Sequence, residues 1–192
     1  RIESELVRVT GLGATDDERA RLTAPSSPDV ASRFPRELRG VDVPLVAALP
    51  NRMLCMIDRV TSFSTTGGLH GQGSLVCEKD VDPHEWFFKA HFFQDPVQPG
   101  SLGIQAMLDA LTFAGVERGV FDAECVVMPI ATALPLTWKY RGQVIPKNRT
   151  VTITCDLVEV SRDRVVGECS LWVDGLRIYH AERIGVEAAR RR

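Results

Sequence analysis

Trp86-Phe87-Phe88-Lys89-Ala90-His91-Phe92-Phe93-Gln94-Asp95-Pro96-Val97-Gln98-Pro99-Gly100-Ser101-Leu102-Gly103 sets one histidine among five aromatic rings, then a proline-glycine turn, then the opening of a strongly apolar helix. An imidazole in so apolar a run is suited to moving protons near neutral pH. A helix that starts with Gly100 and Ser101 has backbone N–H groups without intrahelical partners, and these can hold a developing oxyanion. A base and an oxyanion cradle so close in sequence point to proton abstraction next to a carbonyl. By itself His91 reads as a satisfied core histidine. The rings of Trp86, Phe87, Phe88, Phe92 and Phe93 read first as core packing and second as the lining of a tunnel. Asp95, before Pro96, reads as a turn former.

Working outward, Ser101 to about Gly119 forms the main helix. Leu102, Ile104, Ala106, Met107, Leu108, Leu111, Phe113, Ala114 and Val116 cover nearly every face of it, the pattern of a helix in the middle of a fold. Its polar exceptions, Gln105, Asp109 and Thr112, recur at i, i+4 and i+7 and so form one stripe. That stripe faces either solvent and a subunit interface or a pocket; both readings stay open.

Strand-like runs flank the helix. Before it, Met56–Ser62 and Leu69–Cys77 read as a hairpin about Thr65-Thr66-Gly67-Gly68. After it come Cys125–Ala133, Leu136–Tyr140, Thr150–Val160, Arg164–Val173 and Leu176–Val186. Asp174-Gly175 between two such runs is a hairpin signal, and Thr150–Leu157 alternates as a half-buried strand does. One buried helix with five or six antiparallel strands makes an α+β domain whose sheet curls around the helix.

Residues 1–43, rich in Asp, Arg, Pro, Ser and Gly, read as a linker or N-terminal strap. Residues 44–188 read as the domain and 189–192 as a tail. A net charge of -2 gives no bulk reason for nucleic-acid binding. No apolar stretch approaches the roughly 20 residues of a membrane span. The chain opens Arg1-Ile2-Glu3, with neither a signal-peptide core nor a starting Met, as expected of a segment of a longer polypeptide. Five scattered cysteines without a CxxC pair argue against a disulfide framework or a zinc site. Each reads as a small buried apolar residue of a cytoplasmic, reducing setting. His70, His84 and His180 have no evident chemical neighbours, and no metal site is expected.

These motifs resemble the bacterial β-hydroxyacyl-acyl-carrier-protein dehydratase/isomerase family, which has the hotdog fold. The resemblance covers roughly residues 48–187. It is carried by Leu49-Pro50-Asn51-Arg52-Met53-Leu54 with Ile57-Asp58-Arg59-Val60, by Trp86-Phe87-Phe88, and by His91-Phe92 with Asp95-Pro96-Val97. Pro99-Gly100, Leu102-Gly103 and Gly142-Gln143-Val144-Ile145-Pro146 complete it. The wording of Phe88–Gly103 and of Leu136–Gln143 looks closest to dehydratase domains embedded in polyunsaturated-fatty-acid and iterative polyketide synthases.

The resemblance implies a hotdog fold and dehydration of a 3-hydroxyacyl thioester to a trans-2-enoyl thioester. It implies no cofactor, a substrate carried on the phosphopantetheine of an acyl carrier protein, and a homodimer or a pseudo-dimer with a sister hotdog domain. By position, His91 matches the catalytic histidine, the Val97 carbonyl the group that orients it, and the Gly100 N–H, followed by Ser101, the donor to the thioester carbonyl. The sequence departs from the family at the carboxylate of the central helix. Fourteen residues after the histidine stands Gln105, and an amide cannot act as a general acid. Either His91 makes both proton transfers, or Asp109 stands in one turn along, or a sister domain supplies the acid. A catalytically silent partner domain and a hotdog thioesterase are the alternatives.

Overall fold

The computed structural model describes residues 12–22, 52–122, 125–128, 130–131 and 134–190. Helix α1 (Asp16–Leu22) precedes strands β1 (Arg59–Ser64) and β2 (Ser74–Asp80), the short helix α2 (Trp86–Ala90) and the long helix α3 (Gly100–Glu117). Five strands follow: β3 (Cys125–Met128), β4 (Thr137–Tyr140), β5 (Thr150–Val160), β6 (Arg164–Val173) and β7 (Leu176–Arg190). All pair antiparallel in the order β1-β2-β5-β6-β7-β3, with β4 also lying on β7. This is the α+β hotdog architecture expected from the sequence.

Helix α3 is the axis. Every residue from Leu102 to Gly115 is buried except Gln105. The helix packs against β2, β5, β6 and β7, so the sheet wraps it. Met107, Leu111 and Ala114 share one core with Ile153, Cys155, Leu171, Tyr179 and Ile184. Each large aliphatic side chain enclosed in this way contributes about 1.5–3 kcal/mol. The helix stops at Gly119, whose φ of 67° only glycine adopts without cost. There the Val120 N–H bonds the Gly115 carbonyl at 2.8 Å and the Gly119 N–H bonds that of Val116 at 2.9 Å, the two bonds of a Schellman cap. Asp174 and Gly175 both take positive φ, 49° and 86°, as a type I′ hairpin requires.

Some strand bounds differ from those expected. The hairpin before the helix is β1–β2, but β2 starts at Ser74 rather than Leu69. Residues Leu69–Gly73 stay in the turn, where Gly71 and Gly73 adopt φ of 72° and 107°. Strand β7 continues through Arg190, into the stretch 189–192 read as a tail. Within 1–43, the described part is a docked helix. Thr15 and Glu18 cap each other at 2.6 and 3.2 Å. Arg21 reaches both oxygens of Asp156 at 2.7 and 2.6 Å, and Arg177 reaches Glu18 at 2.6 Å. The remainder of 1–43 lies outside the described residues.

Cys155 and Cys169 are not separate apolar residues: they sit opposite each other on β5 and β6 and form a disulfide. No helix among the described residues is long and apolar enough to cross a membrane.

Candidate active site

The loop from α2 to α3 is built to hold His91. Its backbone N–H closes α2 on the Phe87 carbonyl at 3.0 Å, which fixes where the ring departs. Beyond it the Val97 N–H returns to the Asp95 carbonyl, and the Gln98 N–H bonds the Val144 carbonyl, both at 2.9 Å. Asp95 is thus a turn residue. Val97 and Gln98 are buried, so the loop is anchored at its far end.

The anchored Val97 carbonyl lies 3.1 Å from His91 Nδ1. A carbonyl only accepts, so Nδ1 donates to it, and in the neutral ring the lone pair is then on Nε2. Phe92 covers one side of the imidazole, with ring centroids 4.0 Å apart.

The aromatic run divides. Phe87 and Phe88 are buried, whereas Trp86, Phe92 and Phe93 are 37%, 54% and 91% exposed. Only two of the five rings are core, and the imidazole itself is half-buried in the single chain. The dry setting read from the sequence is therefore not completed by this chain alone. Met53, 54% exposed, extends the apolar surface, its carbonyl accepting the Trp86 indole N–H at 3.1 Å.

Pro99 caps α3 without a side-chain hydrogen bond, which leaves the Gly100 and Ser101 N–H groups at the open end of the helix. A Cβ on residue 100 would lie 3.0 Å from Tyr140 Cε2 and 3.1 Å from Trp138 Cη2, so glycine lets these rings press on the first turn. Behind them Tyr179 stacks on Tyr140 at 4.8 Å and lies against Gly103. Among the described residues its buried hydroxyl has no well-formed hydrogen bond, and burial, with the Tyr140 hydroxyl beside it, raises its pKa well above the usual phenol range. Sequence reading missed this three-ring group. The i, i+2 spacing of Trp138 and Tyr140 on a strand was its available signal.

Gln105 and Asp109 come together: Gln105 Nε2 donates to Asp109 Oδ1 at 2.8 Å. The other carboxylate oxygen accepts the Met56 backbone N–H, also at 2.8 Å. Asp109 is 1% exposed, and burial pushes its carboxyl up to about 6. Thr112 returns its hydroxyl to the Leu108 carbonyl at 2.8 Å. The polar stripe is therefore spent mostly inside the fold, and only Gln105 reaches out of it.

Elsewhere, His70 and His180 both meet Glu168, at 3.2 and 3.5 Å, near the docked α1. Among the described residues no three His, Cys, Asp or Glu side chains are arranged to hold a metal. A cavity of about 430 Å³ opens near the other end of α3, lined by Gly119, Val120, Asp122, Cys125, Arg162, Asp163 and Ala188. None of the His91 loop lines it.

The FabA-like domain family matches residues 49–182. Among solved structures, the dehydratase heterocomplex ApeI:P from Xenorhabdus doucetiae is similar at 15% identity and a TM-score of 0.55, over 78% of this chain and 93% of that one. A thioesterase from Haemophilus influenzae is similar at 12% identity and a TM-score of 0.46, over 69% and 78%. The fluoroacetyl-CoA thioesterase FlK is similar at 18% identity and a TM-score of 0.46, over 61% and 85%.

Proposed function

Since the chain belongs to the FabA-like domain family, we propose that it dehydrates 3-hydroxyacyl thioesters to trans-2-enoyl thioesters. Its setting is a fatty-acid or polyketide synthase, where an acyl carrier protein presents the substrate on phosphopantetheine and no other cofactor takes part. The observation that carries the reading is the 3.1 Å contact of His91 Nδ1 with the Val97 carbonyl, on a loop that ends at the open start of α3.

In this reading His91 Nε2 removes the C2 proton of the substrate. The Gly100 N–H, with Ser101 beside it, holds the negative charge that develops on the thioester oxygen. The C3–O bond then breaks, and the departing hydroxide takes the proton back from His91 as water. Gln105 hydrogen-bonds the C3 hydroxyl without supplying a proton. The exposed rings of Phe92, Phe93, Trp138 and Tyr140 are covered by a second hotdog, a copy or a sister domain, which dries the site.

The test is conversion of a 3-hydroxyacyl thioester to an enoyl product by the purified chain and by His91→Ala. The variant is expected to lose about 10²–10⁴-fold in kcat. No turnover, or a variant as active as the parent, would sink the claim. One observation favours a second reading, a silent partner that completes a sister site: Gln105 stands where the family has a carboxylate. Turnover by this chain alone decides against that. Release of free thiol without enoyl product identifies a thioesterase instead.

A further inference from the structure

We infer that Asp109 is a positioning residue. It turns the Gln105 side chain so that the amide carbonyl oxygen, rather than the nitrogen, faces the hydroxyl of the substrate. The chemical role rests on the dehydratase reading above; the amide orientation does not.

The geometry leaves one arrangement. Gln105 alone escapes burial between Leu102 and Gly115, and Asp109 lies one helical turn along, fully enclosed. An ionised carboxylate only accepts hydrogen bonds. Its Oδ2 is taken by the Met56 N–H and its Oδ1 by Gln105 Nε2, each at 2.8 Å. Gln105 must therefore turn its nitrogen inward, and Oε1 lies away from Asp109. There it accepts the O–H of a 3-hydroxyacyl group. An acceptor holds that hydroxyl but cannot protonate it, so the proton for the leaving oxygen has to come from His91.

The same logic makes the amide reversible. A protonated Asp109 still accepts from Met56 through one oxygen, while the other becomes a donor. It then donates to Gln105 Oε1, and the amide turns over to present its nitrogen. Among the described residues the groups facing Asp109 are the Met56 N–H before β1, Gln105 on its own helix and Cys77 on β2. Burial keeps the Cys77 thiol neutral. Titration of the carboxyl near 6 is thus the event that reverses the amide.

The experiment follows the side-chain NH₂ resonances of Gln105 in the ¹⁵N-labelled full chain from pH 5 to 8, identified by their loss in Gln105→Ala. In the parent they are expected to titrate with a midpoint near pH 6. In Asp109→Asn, whose amide donates to Gln105 at every pH, they are expected to hold the acid-form position throughout. Resonances in the parent that ignore pH, or that Asp109→Asn leaves unchanged, overturn the inference. The parent titration needs no variant and so survives a failure of Asp109→Asn to fold. If the parent dehydrates substrate, Asp109→Asn is expected to lower kcat about tenfold at pH 7.5 and much less at pH 5. A parent without turnover sinks the dehydratase reading, and the resonances still decide the orientation.

Discussion

The carboxylate of Asp109, halfway along α3, accepts the backbone N–H of Met56 at 2.8 Å and so ties the central helix to the segment leading into β1. The tie has a pH signature. Burial raises this carboxyl from 3.8 to about 6, so the folded chain holds the proton more tightly than the unfolded one. Its favourable contribution is complete below pH 3.8 and is lost as pH rises through about 6. The loss amounts to about 3 kcal/mol. Asp109→Asn does not titrate. The unfolding free energy of the variant relative to the parent is therefore expected to improve by roughly that amount between pH 4 and pH 7.5. Urea unfolding of both proteins at the two pH values measures it. A difference that does not change with pH would remove Asp109 as a buried acid.

Gly103 is where α3 and Tyr179 come closest. A methyl group there runs into the Tyr179 ring, itself held by Trp138 and Tyr140. Gly103→Ala is expected to destabilise the fold by about 1–3 kcal/mol despite the better helix propensity of alanine. Gly103→Ala in a Tyr179→Leu background should recover part of the loss, and thermal unfolding of the three variants checks this.

The disulfide between Cys155 and Cys169 lies in the core, where both residues are fully buried. Alkylation with iodoacetamide followed by mass spectrometry should leave these two cysteines unmodified in the native chain. It should leave them unmodified after denaturation too, unless a reductant is added. Modification of both on denaturation alone would show that they are free thiols.

Phe93 is 91% exposed beside His91. On the proposed pairing with a second hotdog it lies under the partner, where a charge is not tolerated. The chain is expected to sediment as a dimer and Phe93→Glu as a monomer, with activity falling in parallel. A parent that sediments as a monomer at all concentrations would rule out the homodimer.

Much of this was legible in the chain before any coordinates. The all-round apolar pattern of Leu102–Val116 marks a central helix because a helix needs that many apolar faces only when it is wrapped. The bounds of β5 and β6 follow from alternation and from Asp174-Gly175, whose two positive φ angles are a local requirement. The His91–Val97 contact closes over six residues, so motif and geometry coincide.

What the sequence did not disclose depends on register and burial. Cys155 meets Cys169 because β5 and β6 pair in that register, which a spacing of fourteen residues does not announce. Three of the five aromatic rings near His91 lie outside the core, Trp86 at the start of α2 and Phe92 and Phe93 past its end. Helix α1 docks because Asp156 and Arg177, far along the chain, stand where it lands. By itself the sequence determined the central helix, strands β5 and β6 and the histidine loop, since these rest on local periodicity and short-range hydrogen bonds. Only the tertiary structure decided which way the Gln105–Asp109 pair faces. One member is enclosed and the other is not, and that difference exists only once the sheet has closed over the helix.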